Sequence, residues 1–242
     1  MARRFALGNF LYAHRGLWTG RETPENSLAA FEAASALGLG LEFDIRPASG
    51  GELIVFHDQT LTRMAGRPER VEDLTLAQLQ EIMLTHTQGI PSFTQLLSAW
   101  PQDLPLLTEM KVDGRTDPAE MGRKTGALLE QYEGLAAAMS FSEEAVRAVP
   151  ESVMRGQVVL EADSIGGDKF EAILARAVTD GLDYIAVNIA DVAKARALVP
   201  QDYPLVAWTV RSVDEVRMAV HENVAIIFEH LDPALVSAYA MP

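Results

Sequence analysis

Residues 41–58 read LEFDIRPASGGELIVFHD. Two carboxylates, Glu42 and Asp44, sit two positions apart in an apolar run, and side chains two apart on a strand share a face. A Gly50-Gly51 pair follows, and a second apolar run ends in His57-Asp58. Only PASGGEL separates the runs, whereas parallel neighbours need a crossover of about a dozen residues or more. The two runs therefore predict an antiparallel hairpin, with Gly50-Gly51 as a two-residue I′ or II′ turn, where positive φ is required. That turn sets Asp44 directly opposite His57 and gathers Glu42, Asp44 and His57 on one surface.

Outward from the hairpin, short apolar runs alternate with helical patterns from end to end, as in an α/β domain. Strands are expected at 10–15, 41–46, 52–57, 104–111, 136–141, 155–161, 184–188, 204–210 and 224–229. Helices are expected at about 24–37, 92–100, 117–133, 142–149, 168–180, 190–198, 212–222 and 232–240. The first helix carries Thr23 as N-cap, Pro24 in its first turn and Gly38 after its end. With the returning hairpin strand set aside, eight parallel strands remain with helices between them. The expected fold is a TIM (β/α)8 barrel with a β-hairpin after strand 2. The low-apolar stretch 58–89 reads as a small insertion with one short helix near 75–83. No linker or composition shift divides residues 1–242, so one barrel domain is expected.

The 242 residues suffice to bury roughly 70% of the unfolded surface. The absence of cysteine excludes a disulfide framework, a thiolate metal site and a cysteine nucleophile. A formal charge of −14 argues against nucleic acid and against stable association with anionic membranes. No run approaches the ~18 apolar residues of a membrane span. In MARRFALGNFLYAHRG, Gly8 and Asn9 break the short apolar stretch, so it reads as strand 1 rather than a signal peptide, and a cytoplasmic protein is expected.

In a barrel of this kind the active site lies at the C-terminal ends of the strands. His14 and Arg15 end strand 1, Glu42 and Asp44 lie late in strand 2, and Glu109 and Lys111 end the strand after the hairpin. Glu42, Asp44 and Glu109 would enter one mouth, where they cannot all stay ionised without a counter-charge. An all-oxygen cluster suits one hard divalent ion, Mg²⁺ or Ca²⁺. Lys111 shares Glu109's face and is placed to orient that carboxylate or contact a substrate oxygen. His14 and His57 flank the cluster, and histidine carries protons near neutral pH. Cation, arginine and two histidines together make a phosphoryl-transfer site.

HRG at 14–16, PEN at 24–26, LEFD at 41–44, HD at 57–58 with LTR at 61–63, EMK at 109–111 and AWTV at 207–210 resemble the glycerophosphodiester phosphodiesterase family. The resemblance implies a TIM barrel with a small insertion after the hairpin. It implies Glu42, Asp44 and Glu109 as metal ligands and His14 and His57 as the acid/base pair. It further implies that Arg15 contacts phosphate and that Lys111 sits beside the metal. The small-molecule substrate would be a glycerophosphodiester such as glycerophosphocholine, cleaved to glycerol 3-phosphate and an alcohol. The family's proposed mechanism has the substrate's glycerol hydroxyl attack phosphorus, and water then opens the cyclic phosphate. Two residues depart from the pattern: IIFEH at 226–230 places Glu229 where an Asp-containing turn is usual, and Arg211 stands where Asn is common. Both are expected at the rim, near the alcohol.

Trp208, near a strand end, is placed to line the alcohol pocket or to pack in the core, and Trp100 reads as core. Glu25-Asn26 read as closing the first helix's N-terminus. Arg63 either reaches phosphate or ties down the insertion. Met110 alternates away from the site. His86, His221 and His230 match no motif and read as surface or structural residues. GGDK at 166–169 lacks the GxxxxGK[ST] pattern in its strand-to-helix context and reads as a loop. Alternative functions are a phospholipase D-like lyase of the sphingolipid toxin type, phospholipase D-like action on lysophospholipids, and non-catalytic phosphodiester binding.

Overall fold

A computed structural model of the chain describes residues 2–85 and 88–240. Its strands are β1 (Leu11–His14), β2 (Gly40–Pro47), β3 (Leu53–Val55), β4 (Leu106–Met110), β5 (Ala136–Ser140), β6 (Met154–Val159), β7 (Tyr184–Asn188), β8 (Leu205–Val210) and β9 (Ala225–Phe228). All but β3 pair in parallel in the order β1-β2-β4-β5-β6-β7-β8-β9, and β9 pairs back onto β1 to close a barrel. The helices Leu28–Ser35, Phe93–Ala99, Pro118–Gln131, Glu143–Ala148, Gly167–Thr179, Val192–Leu198, Val213–His221 and Pro233–Ala240 follow the barrel strands in turn. This is a TIM barrel.

Strands covered on both faces read as continuous apolar runs, and alternation divides their side chains between two cores. Tyr12, Leu107, Ala137, Met139, Val158, Tyr184, Val206 and Ile227 fill the interior. Leu41, Phe43, Met110, Ile185, Ala207 and Phe228 face the helices, where they meet Phe31, Phe93, Leu129, Phe170 and Val216. Trp100 is buried in this outer core. The interior tyrosines need room: a Cβ on Gly156 would lie 2.2 Å from the ring of Tyr184. Among the described residues no helix is long and apolar enough to cross a membrane.

The hairpin closes differently from the two-residue turn its glycines predict. Ile45 pairs with Val55, Arg46 with Ile54 and Pro47 with Leu53. Ala48 N–H donates to the Glu52 carbonyl and Gly51 N–H to that of Ala48. The loop is therefore Ser49-Gly50-Gly51, with Gly51 at φ 82, the three-residue arrangement that places glycine in the left-handed position. The pairing slips by one, and Asp44 faces Phe56, whose N–H donates to the Asp44 carbonyl at 3.0 Å. Such a slip would turn His57 to the wrong face if the ladder continued. Instead β3 ends at Val55, and the Arg46 guanidinium holds the carbonyl of His57 at 2.7 Å beyond it. Ile54 and Phe56 pack against Leu61, Val71, Leu79, Ile82 and Ile90, so the insertion carries a small core of its own. Its helices are Thr62–Ala65 and Leu76–Gln80.

The first helix starts later than Thr23-Pro24 predict. Its N-cap is Ser27, whose Oγ accepts from Ala30 N–H at 3.2 Å. Asn26, at φ 57, keeps the preceding residues out of the helix.

Candidate active site

The site is the next layer above the apolar interior. Two positions beyond Tyr12, Leu107, Val206 and Ile227 stand His14, Glu109, Trp208 and Glu229, on the same inward face. The longer β2 adds Glu42 and Asp44. Strand register then aligns them, because His14 is the backbone partner of Glu42 and Asp44 that of Glu109. Carboxylate oxygens of Glu42, Asp44 and Glu109, all buried, lie within 4.8 Å of one another.

Cations are built around this triad. Lys111 Nζ lies 2.5 Å from Glu109 Oε1 and 2.9 Å from Asp44 Oδ1. Arg15, at φ 58, turns its side chain back so that Nε is 3.1 Å from Asp44 Oδ2 and Nη1 is 2.9 Å from Glu25 Oε1. Its backbone N–H donates to Glu42 Oε2 at 3.3 Å. Asn26 Nδ2 donates to Asp44 Oδ2 at 2.9 Å. Burial pushes the Asp44 carboxyl up, but Lys111 and Arg15 outweigh it and hold Asp44 well below the usual carboxylate range. Glu42 goes the other way: burial, then the charges of Asp44 and Glu109, raise it. Asp44 Oδ1 is buried without an aligned hydrogen-bond donor, although the Lys111 ammonium is close.

Each histidine meets a carboxylate. His14 Nδ1 lies 2.5 Å from Glu229 Oε2, and its Nε2 lies 3.7 Å from Glu42 Oε2. Glu229 Oε1 accepts from Arg211 at 2.6 and 2.7 Å. Burial opposes ionisation of Glu229, but the bonds from His14 and Arg211 bring it down to about 2. His57 Nδ1 lies 2.7 Å from Asp58 Oδ1. Asp58 Oδ2 accepts from Arg63 Nε at 2.7 Å, and the bonds from Arg63 and His57 bring Asp58 down to about 2 against its burial. Arg63 also bonds both oxygens of Glu25, at 2.7 and 2.8 Å. Burial lowers the His57 pKa, opposed by Asp44 and reinforced by Lys111 and Arg15, which favours its neutral ring.

Three residues read otherwise from sequence join this network. Glu25 and Asn26 are buried partners of Arg15 and Asp44 rather than closers of a helix. Glu229, expected at the rim, is buried and reaches inward to His14, while Arg211 stays exposed at the rim and bonds Glu229 from there. Arg63 is engaged with Glu25 and Asp58, within the insertion's junction to the barrel. Trp208 is half-buried and packs edge-to-face on Phe141, with centroids 5.7 Å apart. His230 packs edge-to-face on Trp18 with ring centroids 4.4 Å apart, His221 is exposed beside Glu222, and His86 lies outside the described residues.

The model of the glycerophosphoryl diester phosphodiesterase family matches residues 14–232. A glycerophosphodiester phosphodiesterase of Caldanaerobacter subterraneus subsp. tengcongensis is 38% identical over 77 residues, which is 31% of each chain. The chain spans between 31% and 52% of the length of three curated relatives it matches. The crystal structure of the Thermotoga maritima glycerophosphodiester phosphodiesterase superposes with a TM-score of 0.75 at 20% identity, covering 90% of this chain and 93% of that one. An Oleispira antarctica phosphodiesterase in complex with the product sn-glycerol-3-phosphate superposes with a TM-score of 0.76 at 20% identity, covering 91% and 92%. These likenesses agree on the barrel. Because the family match runs from His14, at the end of β1, to Asp232, past the end of β9, the chain belongs to the glycerophosphoryl diester phosphodiesterase family.

Proposed function

We propose that this protein hydrolyses glycerophosphodiesters such as glycerophosphocholine to glycerol 3-phosphate and an alcohol. The observation that carries this reading is the carboxylate triad at the barrel mouth with His14 and His57 beside it. A divalent ion, Mg²⁺ or Ca²⁺, fits that donor set. Around the histidines, six carboxylates (Glu25, Glu42, Asp44, Asp58, Glu109, Glu229) face four permanent cations (Arg15, Arg63, Lys111, Arg211), leaving two negative charges when all are ionised. Glu42, Asp44 and Glu109 would hold the ion, which supplies charge stabilisation for phosphate oxygens.

His14 and His57 exchange the protons: one takes a proton from the substrate's glycerol hydroxyl as its oxygen bonds phosphorus. The other gives a proton to the alcohol oxygen as its P–O bond breaks, and water then opens the cyclic phosphate to glycerol 3-phosphate. Arg15 and Lys111 add positive charge for the phosphate while keeping Asp44 ionised. The Trp208–Phe141 corner supports an alcohol carrying a quaternary ammonium, which aromatic faces attract.

One observation favours a second reading. A cavity of about 490 Å³, bordered by Trp18, Met64, Met83 and Leu84, opens beside Glu25 and Arg63. An acyl chain would find apolar surface there, so lysophosphatidylcholine belongs in the substrate panel.

The test is to strip metal and follow glycerol 3-phosphate release while restoring Mg²⁺, Ca²⁺ or Mn²⁺ singly, with His57→Ala in parallel. Activity should return with metal and fall in the variant by about 10²–10⁴-fold. Binding of diesters and metal without turnover of any of them would leave a binding protein.

A further inference from the structure

The two histidines are held in the same way by unrelated segments. On the β9 side, Arg211 grips Glu229 Oε1 at 2.6 and 2.7 Å and leaves Oε2 for His14 Nδ1 at 2.5 Å. On the hairpin side, Arg63 Nε grips Asp58 Oδ2 at 2.7 Å, its Nη2 touches Oδ1 at 2.9 Å, and Oδ1 meets His57 Nδ1 at 2.7 Å. An ionised carboxylate only accepts hydrogen bonds, so each Nδ1 must carry the proton. That leaves Nε2 to face the substrate, as a bare lone pair in the ring that takes a proton and as N–H in the ring that gives one. For His14 this nitrogen is the one turned toward Glu42 and the triad.

We propose that Glu229 and Asp58 are positioning residues that fix the Nδ1–H tautomer of His14 and His57 and aim each Nε2 at the reacting phosphate, with Arg211 and Arg63 holding the two carboxylates in place. The proposal rests on the reading of His14 and His57 as the proton-carrying pair. It accounts for Glu229 and Arg211 together, since the two departures from the family pattern are one ion pair. It also joins the halves of the site. Arg63 bridges to Glu25, which holds Arg15, so a shift of the insertion would be felt at both His57 and the phosphate-facing arginine.

Nitrogen-15 NMR of histidine-labelled, metal-free protein reads the tautomers directly. A proton on Nδ1 is expected at both His14 and His57, with the ring that serves as acid carrying one on Nε2 as well, and Glu229→Gln and Asp58→Asn should each disturb one ring and spare the other. A bare Nδ1 at either ring in the unaltered protein would overturn the proposal. Metal-replete kinetics give the second readout. Each variant should lose about 10–100-fold in kcat with KM little changed, and Glu229→Asp should recover part of the loss. On a glycerophosphodiester with a p-nitrophenol leaving group, which departs without a proton, one variant should regain most of its rate and the other should not. Variants that lower both substrates equally through KM would assign these carboxylates a purely structural part and refute the proposal. Correct tautomers in a protein inactive on every diester would instead uphold the positioning and refute the hydrolase reading beneath it.

Discussion

Replacing Glu42 by glutamine should stabilise the metal-free protein at pH 7 and abolish its stabilisation by divalent ions. Glu42 is 1% exposed, and burial with Asp44 and Glu109 nearby raises its pKa. A carboxyl raised in the folded state favours folding when protonated, and its contribution fades as pH climbs through its unfolded and then its folded value. At pH 7 the group is therefore a burden that a neutral isostere removes. The amide introduced by Glu42→Gln keeps an oxygen for the Arg15 N–H, now 3.3 Å from Glu42 Oε2, so the backbone there has no reason to move. The metal reverses the sign, because it needs the third negative ligand. At 100 times Kd, an ion that binds only the folded state adds about 2.7 kcal/mol. For a chain of 242 residues this corresponds to roughly 5–10 °C in Tm. Thermal unfolding of both proteins in EDTA and across a Mg²⁺ or Ca²⁺ titration checks both halves. A variant less stable than the unaltered protein in EDTA, or one with an undiminished metal response, would refute this electrostatic reasoning.

Lys111→Met should destabilise the metal-free protein by about 3–5 kcal/mol, because Asp44 and Glu109 lose a buried partner. The same change should tighten divalent-ion binding, read by urea unfolding and calorimetric titration. Glu229 has its pKa lowered from 4.5 to about 2, so its contribution is full above about pH 4.5 and is lost as pH falls through 2. Glu229→Gln should accordingly be up to about 3 kcal/mol less stable at pH 7, with the gap closed near pH 2 in urea titrations at the two pH values. Gly156→Ala, which drives a methyl group into the Tyr184 ring, should cost about 1–3 kcal/mol by the same measurement.

The barrel was legible because its evidence is local. Apolar runs separated by helix-length segments count the strands, and the short PASGGEL connection removes the ninth from the barrel. The triad was legible for a related reason: Glu42, Asp44 and Glu109 interrupt runs whose alternation places them inward near strand ends. The turn was harder, since Gly50-Gly51 fits a two-residue loop as well as a three-residue loop that also takes Ser49. The slip left the site intact because His57 stands beyond the ladder. Asn26 was hidden by a persuasive Thr23-Pro24 start, while its partner Asp44 lies 18 residues on. Glu229 and His14 are 215 residues apart and meet only because β9 closes onto β1. The clue was present in the alternation from Ile227 to Glu229, but its partner could be named only once the barrel was closed.

Cleavage of the phosphodiester on the alcohol side of phosphorus is the reaction proposed for this site. Phosphorus-31 NMR of glycerophosphocholine incubated with the metal-replete protein tests it in one experiment. The diester resonance should give way to that of glycerol 3-phosphate, with free choline released. Phosphocholine as the product, or an unchanged diester with metal demonstrably bound, would contradict it.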